Sequence, residues 1–441
     1  MTAATEPTAT PGRVLVIAPE AVGAAMGGAA IRAAEVAAAL AAHAPVTLAA
    51  PPGGDRAPTA VERLDWAPAD PRPLRGAIAA AGTVVCQPQW PVVQRWLERS
   101  TARVVYDLYD PEPFEALELL RGRTPALRRL VCALSVDRVA AAVLAGDAFV
   151  CASERQRDLW IGAMLGARVI SPALYDRDPT FASVIATVPF GVPAEPPRAL
   201  RDGIRTRFPA IAREDEVVLW NGGLWRWLDA TAAVRAAGAL VARRPQARLV
   251  FMGAAGHRDA IAQARAAAAE AGLLDRVVFF NDAEWVPYAE RADWLLAADC
   301  ALSTQADHLE TRFAFRTRIV DCVWAGLPVV CTAGDDLAEL VERRDLGAAV
   351  AGGDPLALAA ALERVLARGR AAYGERLAAA AASLSWPRVT EPLVRAVRAN
   401  GPARPLGAGV RRRPGHALRD TGFRAAMGTA AAVGVRRWPS L

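Results

Sequence analysis

At 441 residues the chain is long enough for two or three domains with sizeable cores, and 53% hydrophobic against 22% charged residues excludes extended disorder. All 52 basic residues are Arg, so lysine Schiff-base chemistry and a P-loop lysine are excluded. The net charge of +6 belongs to one end: residues 401–441 carry eight Arg against Asp420, which leaves residues 1–400 at −1 and without the basic face that nucleic acid requires.

The polar segment Thr2–Pro11 lacks the apolar centre of a signal peptide and reads as a disordered N-terminus over 1–11. No run of about 18 apolar residues suggests a membrane span, so a cytoplasmic protein is expected. The six Cys (86, 132, 151, 300, 322, 331) are scattered without a Cys-x-x-Cys and read as small core hydrophobes in a reducing compartment. Four His without ligand spacing give no metal site.

The elements begin with the apolar run Arg13–Ala18, a loop, and the Ala-rich helical pattern Ile31–Ala42. Strand signals recur at 46–49, 83–86, 104–108 and 148–152, with helical patterns at 91–99, 112–122, 125–144 and 154–165. A continuous apolar strand followed by a helix is the mark of a parallel sheet covered on both faces. The alternation therefore predicts a doubly wound α/β domain over 12–190, with ligands at the carboxyl ends of its strands.

Residues 188–197 are Pro-rich and predict an interdomain linker over 191–213. A second alternating set follows over 214–384. Its strands are expected at 217–220, 248–252, 277–280, 300–303 and 329–332, and its helices at 229–243, 257–272, 288–297, 315–325 and 355–369. A Trp-containing helical segment is expected at 385–400, then the basic tail 401–441. The tail reads as a disordered extension or as an Arg-flanked helix in peripheral contact with an anionic membrane.

The densest chemistry lies in His308–Val330, where Glu310, Arg312, Arg316, Arg318 and Asp321 precede a buried-type strand. A helix must start inside this run, and its free N–H groups favour an anion there. Arg316 and Arg318 would strengthen a phosphate site through charge-assisted, bidentate hydrogen bonds. Ionised Glu310 and Asp321 suit sugar or ribose hydroxyls. The alternative is a surface helix whose charges pair with one another.

The order of these pieces resembles the donor-binding segment of family 4 glycosyltransferases. Asp321-Cys-Val-Trp-Ala-Gly326-Leu-Pro328-Val-Val lines up with its second half, and Glu-Thr-Arg-Phe, Phe-Arg-Thr-Arg and Trp-Ala-Gly-Leu-Pro resemble a bacterial subset. The family's second acid lies eight residues after the first, whereas Asp321 lies eleven after Glu310, so the loop is longer here. The resemblance implies an α/β fold of GT-B type, two Rossmann-like domains facing a cleft, over roughly residues 12–400. It also implies sugar transfer from a nucleotide-diphosphate sugar with retention, no metal and no cofactor, and a glycan, lipid-linked glycan or small molecule as acceptor.

Carried onto this sequence, the resemblance makes Glu310, Arg316, Arg318 and Asp110 the catalytic candidates. Donor-binding candidates are Gly27, Gly28, Gly223, Arg226, Trp285, Val286, Thr311, Arg312, Phe313 and Asp321. Gly27 and Gly28 occupy the place of a Gly-rich loop, and Arg32 follows it. Asp107 and Asp110 end a strand, and Asp110 is equally a helix N-cap before Pro111. Ser153 reads first as a cap with Gln156.

In Asn221-Gly-Gly-Leu-Trp225-Arg226-Trp227 the family's Gly-Arg and later Lys are replaced by Gly-Gly without Lys. Arg226 is the expected substitute for one cation, Arg316 or Arg318 for the other, and Trp225 or Trp227 could stack on a ligand. Trp285 and Val286 stand where the family's backbone holds the base, or simply in a turn capped by Asp282. The resemblance implies a glycosyltransferase, with a non-catalytic sugar-nucleotide-binding partner protein as the rival reading. A nicotinamide dehydrogenase is disfavoured because no Gly-x-Gly-x-x-Gly follows the first strand.

Overall fold

The computed structural model describes residues 12–54, 58–67, 69–253, 256–282, 285–399 and Leu406. The expected N-terminal segment 1–11 and, apart from Leu406, the basic tail lie outside the described residues. The chain divides into two compact units.

The first unit holds a seven-stranded parallel sheet. Its strands are β1 (Val14–Ile17), β2 (Val46–Ala50), β3 (Glu62–Asp65), β4 (Thr83–Cys86), β5 (Arg103–Asp107), β6 (Ala148–Cys151) and β7 (Ile185–Thr187), in the order β3-β2-β1-β4-β5-β6-β7. Every residue of β1, β2, β4 and β6 is buried, as a sheet covered on both faces requires. The Ala-rich helix Gly28–Ala41 buries Ala29, Ala30, Ala34 and Ala37, whose small side chains allow a close approach to the sheet.

The second unit repeats the plan with six parallel strands: β8 (Glu216–Trp220), β9 (Ala247–Phe251), β10 (Val278–Phe280), β11 (Cys300–Ser303), β12 (Val329–Thr332) and β13 (Gly347–Val350). Their order is β10-β9-β8-β11-β12-β13. Aromatic rings close the carboxyl ends of three of them. Phe251 stacks on Phe280 at 4.4 Å between centroids, and Trp220 lies 5.3 Å from Phe251. Chain order reverses between β8 and β11, and such a switch point opens a crevice at the strands' carboxyl ends.

Two organisational expectations are corrected. The span 191–213 is no free linker: it contains the helix Gly203–Arg207, buries Ile204 and Ile211 in the second core, and pairs Val192 with Ser385. The expected single helix at 385–400 is two, Trp386–Val389 in the second unit and Glu391–Arg398 in the first, where Arg103 Nε donates to the Ala396 carbonyl at 3.1 Å. Trp386 fastens the start of the second unit, its ring 5.0 Å from that of Phe190 and directly over Gly191. Among the described residues no helix is long and apolar enough to cross a membrane.

Candidate functional site

The crevice in the second unit is built by two loops tied to each other. The loop after β8 joins the loop after β11 through Asp229 N–H to the Thr304 carbonyl (3.1 Å), Thr304 Oγ1 to the Asp229 carbonyl (2.6 Å) and the Leu228–Gln305 bridge. Asn221 Nδ2 donates to the Arg318 carbonyl at 2.8 Å, fixing the first turn of the helix Thr317–Trp324 beside β8. Gly222, at φ +105°, lets the chain turn back over that helix.

Arg318 is the cation this framework presents. Its Nη2 donates to the Gly223 carbonyl at 3.1 Å and its guanidinium lies 5.3 Å from the Trp220 ring centroid, but Nη1 is buried with no hydrogen-bond partner among the described residues. Burial, reinforced by the neighbouring Arg316 charge, pushes its pKa down to about 10. A cation shifted this way lacks a nearby counter-charge sufficient to offset its desolvation.

Arg316, expected to act beside it, is instead part of the frame. It is 4% exposed, ion-paired through Nε to the fully buried Asp335, and donates to the carbonyls of Thr332 (2.8 Å) and Ser303 (3.3 Å). Asp335 in turn caps the helix Asp336–Arg343 by accepting from Ala338 N–H at 2.8 Å. All three nitrogens of the Arg316 guanidinium are therefore engaged by this frame.

The amides expected to cradle phosphate near 311–315 are largely used by their own loop. Thr311 N–H donates to His308 Nδ1 (3.2 Å), Arg312 N–H to the His308 carbonyl (3.2 Å) and Ala314 N–H to the Glu310 carbonyl (2.7 Å). Glu310 and Thr311 are buried, and Thr311 Oγ1 donates to the Ala306 carbonyl at 2.6 Å. Arg312 is exposed, 5.9 Å from the Phe313 ring. The remaining candidates divide similarly. Arg226 pairs with Asp259 (2.6 Å) and donates to His257 Nε2 (2.9 Å), while Trp225 and Trp227 stack on each other at 5.4 Å. Asp321 pairs with Arg291 (3.2 Å), a guanidinium held between the rings of Tyr288 and Trp324; burial raises the Asp321 carboxyl and Arg291 opposes the rise. Val286 packs against the second core, and Trp285 is half-buried.

In the first unit, the Gly-rich loop meets its own carboxylate. Glu20 accepts from Ala30 N–H at 3.2 Å at the start of the helix Gly28–Ala41, and a Cβ at Gly27 would clash with Glu20 Oε1. The anion seat expected at Gly27 and Gly28 is thus filled by Glu20. Asp107 is likewise committed, to Arg32 at 2.6 and 3.0 Å, and Arg32 also donates to the Val188 and Pro189 carbonyls. Ser153 caps the helix Glu154–Gly166, accepting from Gln156 N–H.

Asp110 is less constrained, held among the described residues by a long 3.4 Å bond from Gln87 Nε2 and by Tyr109. Burial and then the Glu115 charge drive its carboxyl well above the usual range. A carboxyl with a higher folded than unfolded pKa favours folding below the unfolded value, and that contribution is lost as pH rises through the folded one. Asp110→Asn is therefore expected to raise the melting temperature at about pH 7–8 and to leave it unchanged below about pH 4. Superimposable melting curves at neutral pH would refute this charge burial.

Sequence reasoning missed several participants. Ser303 Oγ, Gln305 Oε1 and His308 Nε2 are all buried without a hydrogen-bond partner among the described residues, as is Arg318 Nη1. Buried polar atoms are paired in the great majority of cases, and these four fall within residues 303–318, on the loop after β11 and the helix it leads into. His308-x-x-Thr311 could have been read as a helix cap; nothing in the sequence singles out Ser303 or Gln305.

The profile of the family described as glycosyl transferases group 1 matches residues 215–368. Those residues form a glycosyl transferases group 1 domain. The match spans β8 to the helix Pro355–Arg368 and so contains both loops of the crevice. HepE from Anabaena, solved with UDP and glucose, is similar over 87% of this chain and 98% of its own, at 15% identity and a TM-score of 0.61. WaaG, a glycosyltransferase involved in lipopolysaccharide biosynthesis, is similar over 88% and 100%, at 15% identity and 0.57. An Escherichia coli trehalose-6-phosphate protein bound with UDP-2-fluoro glucose covers 88% and 100%, at 13% identity and 0.56. No curated protein sequence matches the chain. The two doubly wound domains are those of the GT-B fold.

Proposed function

We propose that this protein is a glycosyltransferase that takes a sugar from a nucleotide-diphosphate donor with retention of anomeric configuration. The observation that carries the reading is Arg318 Nη1, buried and without a hydrogen-bond partner among the described residues, at the β8/β11 switch point inside the glycosyl transferases group 1 domain. A diphosphate would supply the missing acceptor and offset the desolvated charge. The helix Thr317–Trp324, whose N-terminus has no side-chain cap, adds its dipole. Departing diphosphate charge is stabilised by this preorganised cation instead of a metal ion, and such electrostatics is the usual major catalytic term.

Glu310, buried on the adjacent loop, is assigned to the donor sugar, and Asp110 to the acceptor. The leaving phosphate takes the acceptor's proton in a front-face transfer that needs no protein nucleophile. The acceptor class is a glycan or lipid-linked glycan. Commitment of Arg226 to Asp259 favours the rival reading, a non-catalytic nucleotide-sugar-binding protein, and turnover separates the two.

The test is thermal denaturation with UDP, GDP, ADP, dTDP, their hexose conjugates and NAD. One nucleoside diphosphate and its sugars are expected to raise the melting temperature by several degrees. A shift with NAD alone would overturn the reading.

A further inference from the structure

His308 lies outside every role assigned so far, and its hydrogen bonding fixes its tautomer. The ring caps the short helix Leu309–Phe313, with Nδ1 accepting from Thr311 N–H at 3.2 Å. The Thr311 hydroxyl, 3.1 Å from the same nitrogen, gives its proton to the Ala306 carbonyl at 2.6 Å and does not compete for the role. In the neutral imidazole an accepting Nδ1 leaves the proton on Nε2. That Nε2–H is buried, on a side chain only 12% exposed, and finds no acceptor among the described residues. Capping explains one nitrogen of the ring and leaves a desolvated donor at the other.

We propose that His308 is a specificity-determining residue whose Nε2–H donates to an oxygen of the donor's sugar, a hydroxyl or the ring oxygen. The proposal rests on the nucleotide-sugar reading and deepens it. The oxygen is assigned to the sugar and not to the diphosphate because the Glu310 carboxylate lies 3.7 Å from His308 Nδ1 and would repel a second anion. The diphosphate is drawn to Arg318, a cation whose buried Nη1 has no hydrogen-bond partner among the described residues. His308 and Gln305, whose Oε1 is a buried acceptor without a partner among the described residues, then present one donor and one acceptor on a single loop, the complement of hydroxyl groups.

Binding by isothermal titration tests this on the full chain, as wild type, His308→Asn and His308→Ala. The ligands are UDP, GDP, ADP and dTDP, and the glucose, galactose, mannose and N-acetylglucosamine conjugates of each. Asn keeps an N-cap acceptor but removes the Nε2 donor. His308→Asn should therefore melt like wild type, bind the preferred free diphosphate unchanged, and bind its sugar conjugate about tenfold more weakly. His308→Ala should show the same weakening with a lowered melting temperature. Wild-type affinity of His308→Asn for the conjugate would overturn the proposal and leave the nucleotide-sugar reading standing. Equal weakening for free diphosphate and conjugate would overturn the assignment to the sugar. A wild type that binds no member of the panel would overturn the nucleotide-sugar reading, and the role of His308 with it.

Discussion

Replacing Arg318 with Met is expected to reduce turnover by about 10²–10³-fold, the usual effect of removing one preorganised charge from a transition-state site, and to abolish stabilisation by nucleoside diphosphate. The unliganded variant should be at least as stable as wild type. These opposite signs follow from one observation. Among the described residues Arg318 has no ion-pair partner and leaves one buried nitrogen without an acceptor, and its pKa is pushed down to about 10. A depression of that size corresponds to roughly 3 kcal/mol against the charged folded form at neutral pH. Met keeps the length of the side chain and its packing over Trp220 without that charge. Chemical denaturation gives the stability, and initial rates with the preferred donor give the activity. A destabilised Arg318→Met that retained turnover would make Arg318 a structural residue and remove the central support for the donor site. Arg318→Lys separates charge from shape: the point charge survives, the fork does not, so partial activity is expected.

The central strands and the two-domain plan were legible because fully buried parallel strands must be continuous apolar runs. Val14–Ile17, Thr83–Cys86 and Val329–Thr332 are such runs, each buried throughout. Three of the four edge strands were not legible. Glu-Arg-Leu-Asp at 62–65 has two exposed carboxylates, Ile185–Thr187 has three residues, and Gly347–Val350 is half-buried along its whole length. Pairing to a neighbour, and not hydrophobic patterning, makes these segments strands. Pro-rich composition at 191–213 suggested a linker, but composition does not reveal that Ile204 and Ile211 reach a core.

The site shows the same division between what a residue is and what it faces. Charge density in 308–321 pointed to a segment that the loop after β8 also reaches, through Asn221 and Gly223 to Arg318. It could not say which charges were already spent. Arg316 and Arg318 are two residues apart in one motif, yet one is ion-paired to Asp335 while the other has no ion-pair partner among the described residues and donates to the Gly223 carbonyl. Those partners come from β12's following loop and from a strand end almost a hundred residues upstream. Likewise Gly27 was legible as a close-approach position, but what approaches it is Glu20.

The pairing of Arg316 with Asp335 leads to the largest expected loss of stability. Both side chains are essentially out of water, at 2% and 0% exposure. Arg316→Ala would leave the Asp335 carboxylate buried without its counter-ion, a change expected to destabilise by about 3–5 kcal/mol. Two carbonyl acceptors, of Ser303 and Thr332, and the cap of the next helix would be disturbed together. Asp335→Ala should be at least as harmful, since it strands the guanidinium and removes that cap. The joint replacement Arg316→Met with Asp335→Ser should recover part of the loss, because no buried charge is then unpaired and Ser can cap. Urea denaturation of wild type, Arg316→Met, Asp335→Ser and their joint replacement forms a cycle in which the coupling between the two positions is read directly. A coupling near zero would mean that the pair contributes nothing specific. A stable Arg316→Ala that had lost only diphosphate binding would restore Arg316 as a ligand residue. Loss of activity in Arg316→Ala alone decides nothing about phosphate contact, whereas Arg318→Met, with its frame intact, does.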